Sequence, residues 1–359
     1  MKRKSLFTLI IVIAISVTML TGCIGRDMHT SEDGTPMLAL LENSVKEVAF
    51  VDGEAITVAD LQYYIYHTAM TQIYQNDPDF SGDIAKVKWD EKLKSGKTLE
   101  ETILDEAMRT AIADLATVRQ SVAVEIRFTE EEKAQVKELI SSFVTEKGEE
   151  QFKLNMQAMG IESQEEYEKI YERVMIVQKM QEDVRDNIGK YVPSVDVLKP
   201  YKNKDKASVQ HVLILSQDSK HENPEAVAKE VHEKAKSGVP FSELIYEYNE
   251  DPGASVSGYT FGPGEMVPEF EKASFALEFN EISDIVETEY GYHIIRRIVD
   301  ITEAQNYWVE ESDVKIKEGI LRKISVPDVV NAVVGAQKIL QEQNMSQTEE
   351  KTEGENQNG

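Results

Sequence analysis

Two histidines sit where a histidine is costly. In VQHVLIL, Val209 to Leu215, His211 interrupts a run that is otherwise almost wholly apolar. Apolar residues fall on both alternating faces of that run, the pattern of a buried central strand. Burying an imidazole costs free energy unless it is paired. By alternation His211 shares a strand face with Val209, Leu213 and Leu215, and His293, in GYHIIRRI, shares one with Ile295 and Val299. Thr288 stands five residues before His293. Each imidazole can donate from one nitrogen and accept at the other, and a threonine hydroxyl does both. The three could therefore form one mutually hydrogen-bonded cluster. The same residue types are equally compatible with separate core histidines, the commoner fate of a histidine in a strand.

Asp251 begins the turn-forming DPG of EDPG. By itself that is a turn residue; beside an apolar pocket a carboxylate marks function. Met266 and Phe270 are four apart, which predicts one helical face and, taken bare, ordinary core packing. Cys23 is the only cysteine, so no disulfide framework and no thioredoxin-like or cysteine-protease chemistry is available. His29, His67, His221 and His232 fall in tether or helix-surface contexts without ligand spacing, so neither a metal site nor a cofactor is expected.

The elements that must position these groups fall in the second half of the chain. Strand signals occur at Ser208 to Leu215, Ile285 to Glu287 and Tyr292 to Val299, with helical stretches NPEAVAKEVHEKAKSG, FSELIYEYN and VPEFEKASFAL between them. Residues 206–302 therefore read as a compact α+β unit. Before it, VAFV predicts a short strand, Asp52-Gly53 a turn and Thr57 a helix cap. Capping boxes are expected at Thr98/Glu101, Thr129/Glu132 and Ser163/Glu166, making about 45–190 mainly helical. A second helical stretch, Ala304 to Gln343, is broken at Ser325-Val326-Pro327, and could not bury its apolar stripe alone. The expected organisation is a helical domain over 45–205 and 303–344 with the 206–302 unit inserted, and a disordered polar tail over 345–359.

VQHVLI, NEDPGASVSGYTFGPGEMVPEFEKASFAL and VETEYGYHIIRRI, in that order, resemble the parvulin family of peptidyl-prolyl cis–trans isomerases. The resemblance implies that His211, Asp251, Thr288 and His293 form the catalytic cluster, with Asp251 at a position held by Cys or Asp in the family. It further implies that Met266, Phe270 and Phe261 line a pocket for the substrate proline ring. The run Gly258 to Met266 is about two residues shorter than in many members, leaving the register of Phe261 open. It lacks the basic cluster of phosphorylation-directed parvulins, so phosphoproline specificity is not expected. VAFVDGEAITVADL resembles the start of the helical domain of PrsA- and SurA-type foldases.

At the N-terminus, MKRK and the apolar SLFTLIIVIAISVTML predict a signal peptide over 1–22, and a tether follows over 23–44. Leu20 to Cys23, LTGC, resembles a bacterial lipobox, implying lipid on Cys23 and an extracytoplasmic, membrane-anchored protein. Removing 1–22 leaves 36 basic against 65 acidic residues, a net −29, which should repel nucleic acid. The expected partners are unfolded, proline-containing exported chains, and self-association as a homodimer stays open. A holdase with a weakly active or inactive isomerase unit is the alternative.

Overall fold

The computed structural model describes residues 46–356. The expected signal peptide, Cys23 and the tether lie outside the described residues. The chain divides into two compact units, whose described parts are 46–115, 128–175 and 312–356 for the first, and 116–127 and 176–311 for the second.

In the first unit, β1 (Glu47–Val51) and β2 (Glu54–Thr57) form a hairpin, and β7 (Val314–Ile316) pairs antiparallel with β1, giving the order β2-β1-β7. Asp52 and Gly53 take φ of 49° and 87° at the turn, the left-handed pair that matches strand twist in a two-residue loop. Strands β2 and β7 are too short to give a period-two signal, and neither is evident in the sequence. Helix α1 (Val58–Asn76) starts at a capping box in which Thr57 and Asp60 bond reciprocally. The Asp60 carboxylate is buried, which is tolerable because Lys169 Nζ lies 2.8 Å away and Arg173 3.9 Å. Capping boxes also open α2 (Leu99–Ala123) and α3 (Glu130–Lys147).

The short α4 (Glu149–Gln157) precedes α5 (Gln164–Asn187). At α5 only half the expected box forms: Ser163 Oγ accepts from Glu166 N–H, but the Glu166 carboxylate takes the Glu162 N–H instead. The last helix of the first unit, α11 (Val326–Asn356), packs on α1 and α4; Gln337 Nε2 donates to Tyr66 Oη and the Ala158 carbonyl. The helix extends to Asn356, into the polar stretch that follows Gln343.

The second unit contains a four-stranded antiparallel sheet of order β4-β3-β6-β5: β4 (Tyr259–Phe261), β3 (Ala207–Leu215), β6 (Gly291–Arg297) and β5 (Val286–Glu287). Every β3 residue but the last is buried, because both faces are covered. On one face Val212, Ile214 and Ile294 meet α6 (Pro224–Lys236) and α7 (Phe241–Tyr248) through Val231, Phe241 and Leu244. On the other, Val209 and Ile295 meet Phe270 of α8 (Pro268–Ala276), with Phe261 and Leu277. Burying each such side chain contributes about 1.5–3 kcal/mol. At the end of β6, Arg297 is buried and donates to the Ser208 carbonyl at 3.0 Å and to Glu303 Oε1 at 2.6 Å. Glu303 lies on α9 (Ile301–Glu311) and also accepts the Asn203 and Asp300 N–H groups, so one buried carboxylate fastens both ends of the sheet-bearing segment. A single helical turn, α10 (Glu318–Leu321), precedes α11 in the first unit.

Candidate active site

The register of β3 and β6 sets the two histidines beside each other. Leu213 faces His293 and His211 faces Ile295, so the imidazoles are diagonal neighbours on one face of the pair. Their ring centroids are 5.5 Å apart, tilted by 49°. Phe270 closes over both, edge-on, at 5.3 Å from His211 and 5.2 Å from His293. All three side chains are buried.

The single hydrogen-bonded cluster that the residue types allowed is instead two adjacent networks. Thr288 Oγ1 lies 2.8 Å from His293 Nε2 and accepts the Tyr290 N–H, while His211 Nδ1 lies 3.0 Å from the Tyr259 hydroxyl. No hydrogen bond joins the two rings: His293 Nδ1 and His211 Nε2 each lack a well-formed partner. Asp251 Oδ2 is 3.1 Å from His211 Nε2, close to that nitrogen but off the axis of a well-directed hydrogen bond.

A short frame holds Asp251 there. β4 pairs with Ala207 to Val209 of β3, and beyond its end the same edge of β3 is taken over by the turn after α7. The Asn249 carboxamide accepts the Leu213 N–H and donates to the Asp251 carbonyl; the Glu250 N–H bonds the Leu213 carbonyl, and its carboxylate takes the Leu215 N–H. Asp251 Oδ1 accepts the Gly253 N–H, closing the Asp-Pro-Gly turn. One Asp251 oxygen thus closes the turn while the other faces His211. The hairpin carrying Thr288 closes at Gly291, whose φ of 148° and approach to β3 admit no side chain: a Cβ would lie 2.2 Å from the Ile214 carbonyl oxygen.

Met266 departs from the expected helical face. Helix α8 begins at Pro268, because proline suits the first helical position and disfavours helical geometry in the residue before it. Met266 precedes the helix yet still packs, half-buried, on the cluster that holds Phe270. Phe261 is buried behind Phe270 and Phe275, at 5.9 and 5.8 Å, in the same apolar cluster as Phe270. Tyr259, on the same side of β4, takes the half-exposed position, its ring parallel to Phe270 within 13°. Tyr259 is the site residue that sequence reasoning missed. Its one clue was Gly258 before it: with φ of 74°, a Cβ there would lie 2.5 Å from the Val209 carbonyl oxygen.

Electrostatically the cluster favours neutral rings. Burial lowers the affinity of His211 for a second proton, partly opposed by Asp251. Burial, then the neighbouring His211, push His293 down to about 4. Burial, then the Asp251 charge, hold the Tyr259 phenol well above its ordinary range. The arrangement offers an apolar wall edged by a carboxylate, a phenol and a threonine hydroxyl, and among the described residues there is no cluster of metal-ligand type.

A sequence profile of the PPIC-type PPIase domain matches residues 196–302. Foldase protein PrsA of Geobacillus sp. (strain WCH70) is 35% identical over 149 residues, covering 40% of this chain and 50% of that protein. Foldase protein PrsA of Geobacillus kaustophilus (strain HTA426) is 44% identical over 102 residues, covering 28% and 34%. The chain spans half or less of the length of these curated relatives. The crystal structure of peptidylprolyl isomerase PrsA from Bacillus cereus aligns at 23% identity over 70% of this chain and 90% of that one, with a TM-score of 0.23, a likeness too slight to carry weight. Over residues 196–302 the chain is thus similar to PPIC-type PPIase domains, and it is similar in sequence to PrsA foldases.

Proposed function

We propose that this protein is an extracytoplasmic foldase, anchored by lipid on Cys23, whose second unit isomerises X–Pro bonds in exported chains while its helical unit holds them. The observation that carries the reading is Phe270 packed across His211 and His293, with Asp251 3.1 Å from His211. Rotation about an X–Pro bond faces a barrier of about 18–20 kcal/mol and takes roughly tens to hundreds of seconds unaided. The barrier is lost amide resonance, and water stabilises the planar, polar form. An apolar wall at Met266 and Phe270 that takes up the proline ring removes that water. Polar groups at the rim, Asp251 and Thr288, then act on the twisted amide, where charge on the carbonyl and nitrogen differs most from the ground state. Phe261 completes the same apolar wall from behind Phe270. No nucleophile is required.

Proline-limited refolding by the full chain tests this. The rate should rise with added protein and fall at least about tenfold for Asp251→Ala, a half-exposed position whose loss spares the core. No acceleration by the unaltered chain sinks the reading. A second reading, a holdase with little turnover, is favoured by one observation: Phe270 is only 3% exposed, so the ring wall is covered. Aggregation suppressed without any isomerase rate would establish it. Lipid anchoring is tested by detergent partitioning of the chain made in a bacterial host, which Cys23→Ala should abolish.

A further inference from the structure

We infer that Tyr259 is a positioning residue of this site: its hydroxyl donates to His211 Nδ1 and holds the imidazole in the tautomer whose Nε2–H faces Asp251. The inference rests on the isomerase reading for its consequence, though not for its geometry. Three titratable groups face the His211 ring: Asp251, Tyr259 and His293. A carboxylate only accepts, and Asp251 Oδ2 stands 3.1 Å from Nε2. A bare nitrogen lone pair held there would repel it, so Nε2 carries the proton. A neutral imidazole then presents a lone pair at Nδ1, and the group 3.0 Å from it must donate. Tyr259 can: burial and the Asp251 charge keep its phenol protonated. The proton order is therefore Tyr259 to His211 to Asp251, running one way. Without the phenol, Nδ1 would be a buried acceptor without a partner, and nothing at that nitrogen would oppose the ring's turning over.

Tyr259 is also placed to do this and little else. Its ring lies parallel to Phe270 and edge-on to His211, with centroids 5.6 Å apart, on a strand that can approach β3 only because residue 258 is glycine. Tyr259→Phe keeps that packing and deletes only the hydroxyl.

The test is long-range proton–nitrogen correlation NMR of the full chain with labelled histidine, at neutral pH. The chain has six histidines, so His211 is assigned by its absence in His211→Asn. The expected wild-type signal is a protonated Nε2 and a hydrogen-bonded, proton-free Nδ1. In Tyr259→Phe the Nδ1 resonance should move toward its unbonded position, with the second tautomer appearing. In the refolding assay kcat/KM should fall about fivefold, the worth of one hydrogen bond. Asp251→Asn should cost less in the Tyr259→Phe background than alone, since both act through one ring. A wild-type Nδ1–H tautomer, an unmoved Nδ1 signal, or unchanged kcat/KM beside a moved signal would each overturn the inference. An inactive wild-type chain would instead remove the isomerase reading, and the NMR signals would still decide what Tyr259 does to His211.

Discussion

The neutral, buried His293 makes the second unit acid-sensitive in a way that can be isolated. Its proton affinity in the folded chain is pushed down to about 4, chiefly by burial. In the unfolded chain an imidazole titrates near about 6.5. Between those values the unfolded state binds more protons than the folded one, so folding loses free energy as pH falls through that window and none above it. Linkage sets the loss between about pH 7.5 and about pH 5 at about 2 kcal/mol for this ring alone. His211, lowered in the same direction, adds to it. The assay is urea unfolding followed through amide NMR signals of β3 and β6 at both pH values. His293→Gln carries no titrating group, so its loss over the same interval should be smaller by about 2 kcal/mol, although it is less stable at neutral pH for want of a fitted ring. Parallel losses in the two proteins would refute the argument. They would mean that the His293 ring takes up its proton in the folded state and finds a partner for Nδ1 there.

Three further outcomes follow from the same geometry. Phe270→Ala should cost about 3–5 kcal/mol in urea unfolding, and should abolish proline-limited catalysis even in the fraction that stays folded; a mild cost with full activity would show that the ring neither fills the core nor grips substrate. Arg297→Ala strands the buried Glu303 carboxylate and should cost about 3–5 kcal/mol, whereas Arg297→Met with Glu303→Leu should cost less than the single change. Asn249→Ala removes the acceptor for Leu213 N–H and the donor to the Asp251 carbonyl. It should destabilise by about 1–3 kcal/mol and lower kcat/KM, while Asn249→Asp should restore the first bond and not the second.

Much of this was legible in the residues because burial imposes strong patterns. An imidazole in an apolar alternating run announces a partner, and the face it occupies follows from parity alone, which is why His211 and His293 could be set on strand faces before any register was known. Thr57, Thr98 and Thr129 declare helix starts by local chemistry, and the structure forms those caps. What escaped was short or non-local. Strands β2, β4 and β7 span four, three and three residues, below the length at which alternation differs from chance, and their pairing is decided by partners far along the chain. Tyr259 was hidden for that reason: its role depends on where β4 ends against β3. Met266 lies outside the helix because Pro268, between it and Phe270, sets the helix start, which a spacing of four does not reveal.

The site's position on the sheet follows from how one strand edge is shared. β4 covers that edge of β3 as far as Val209, and Asn249 with Glu250 covers it at Leu213 and Leu215. His211 is the residue between the two covers. The last paired residue of β4, counted toward His211, is Tyr259, and the residue after Glu250 is Asp251. The changeover therefore delivers a phenol and a carboxylate to opposite nitrogens of the same ring, each held by backbone pairing that the ring itself does not supply. A continuous β4 would have met the backbone of β3 along its whole length and left no gap for the turn that carries Asp251. A shorter β4 would have left Nδ1 without a donor. The costly histidine in VQHVLIL is tolerated because it stands where one strand partner stops and another begins, and the same interruption lets polar groups meet an apolar wall.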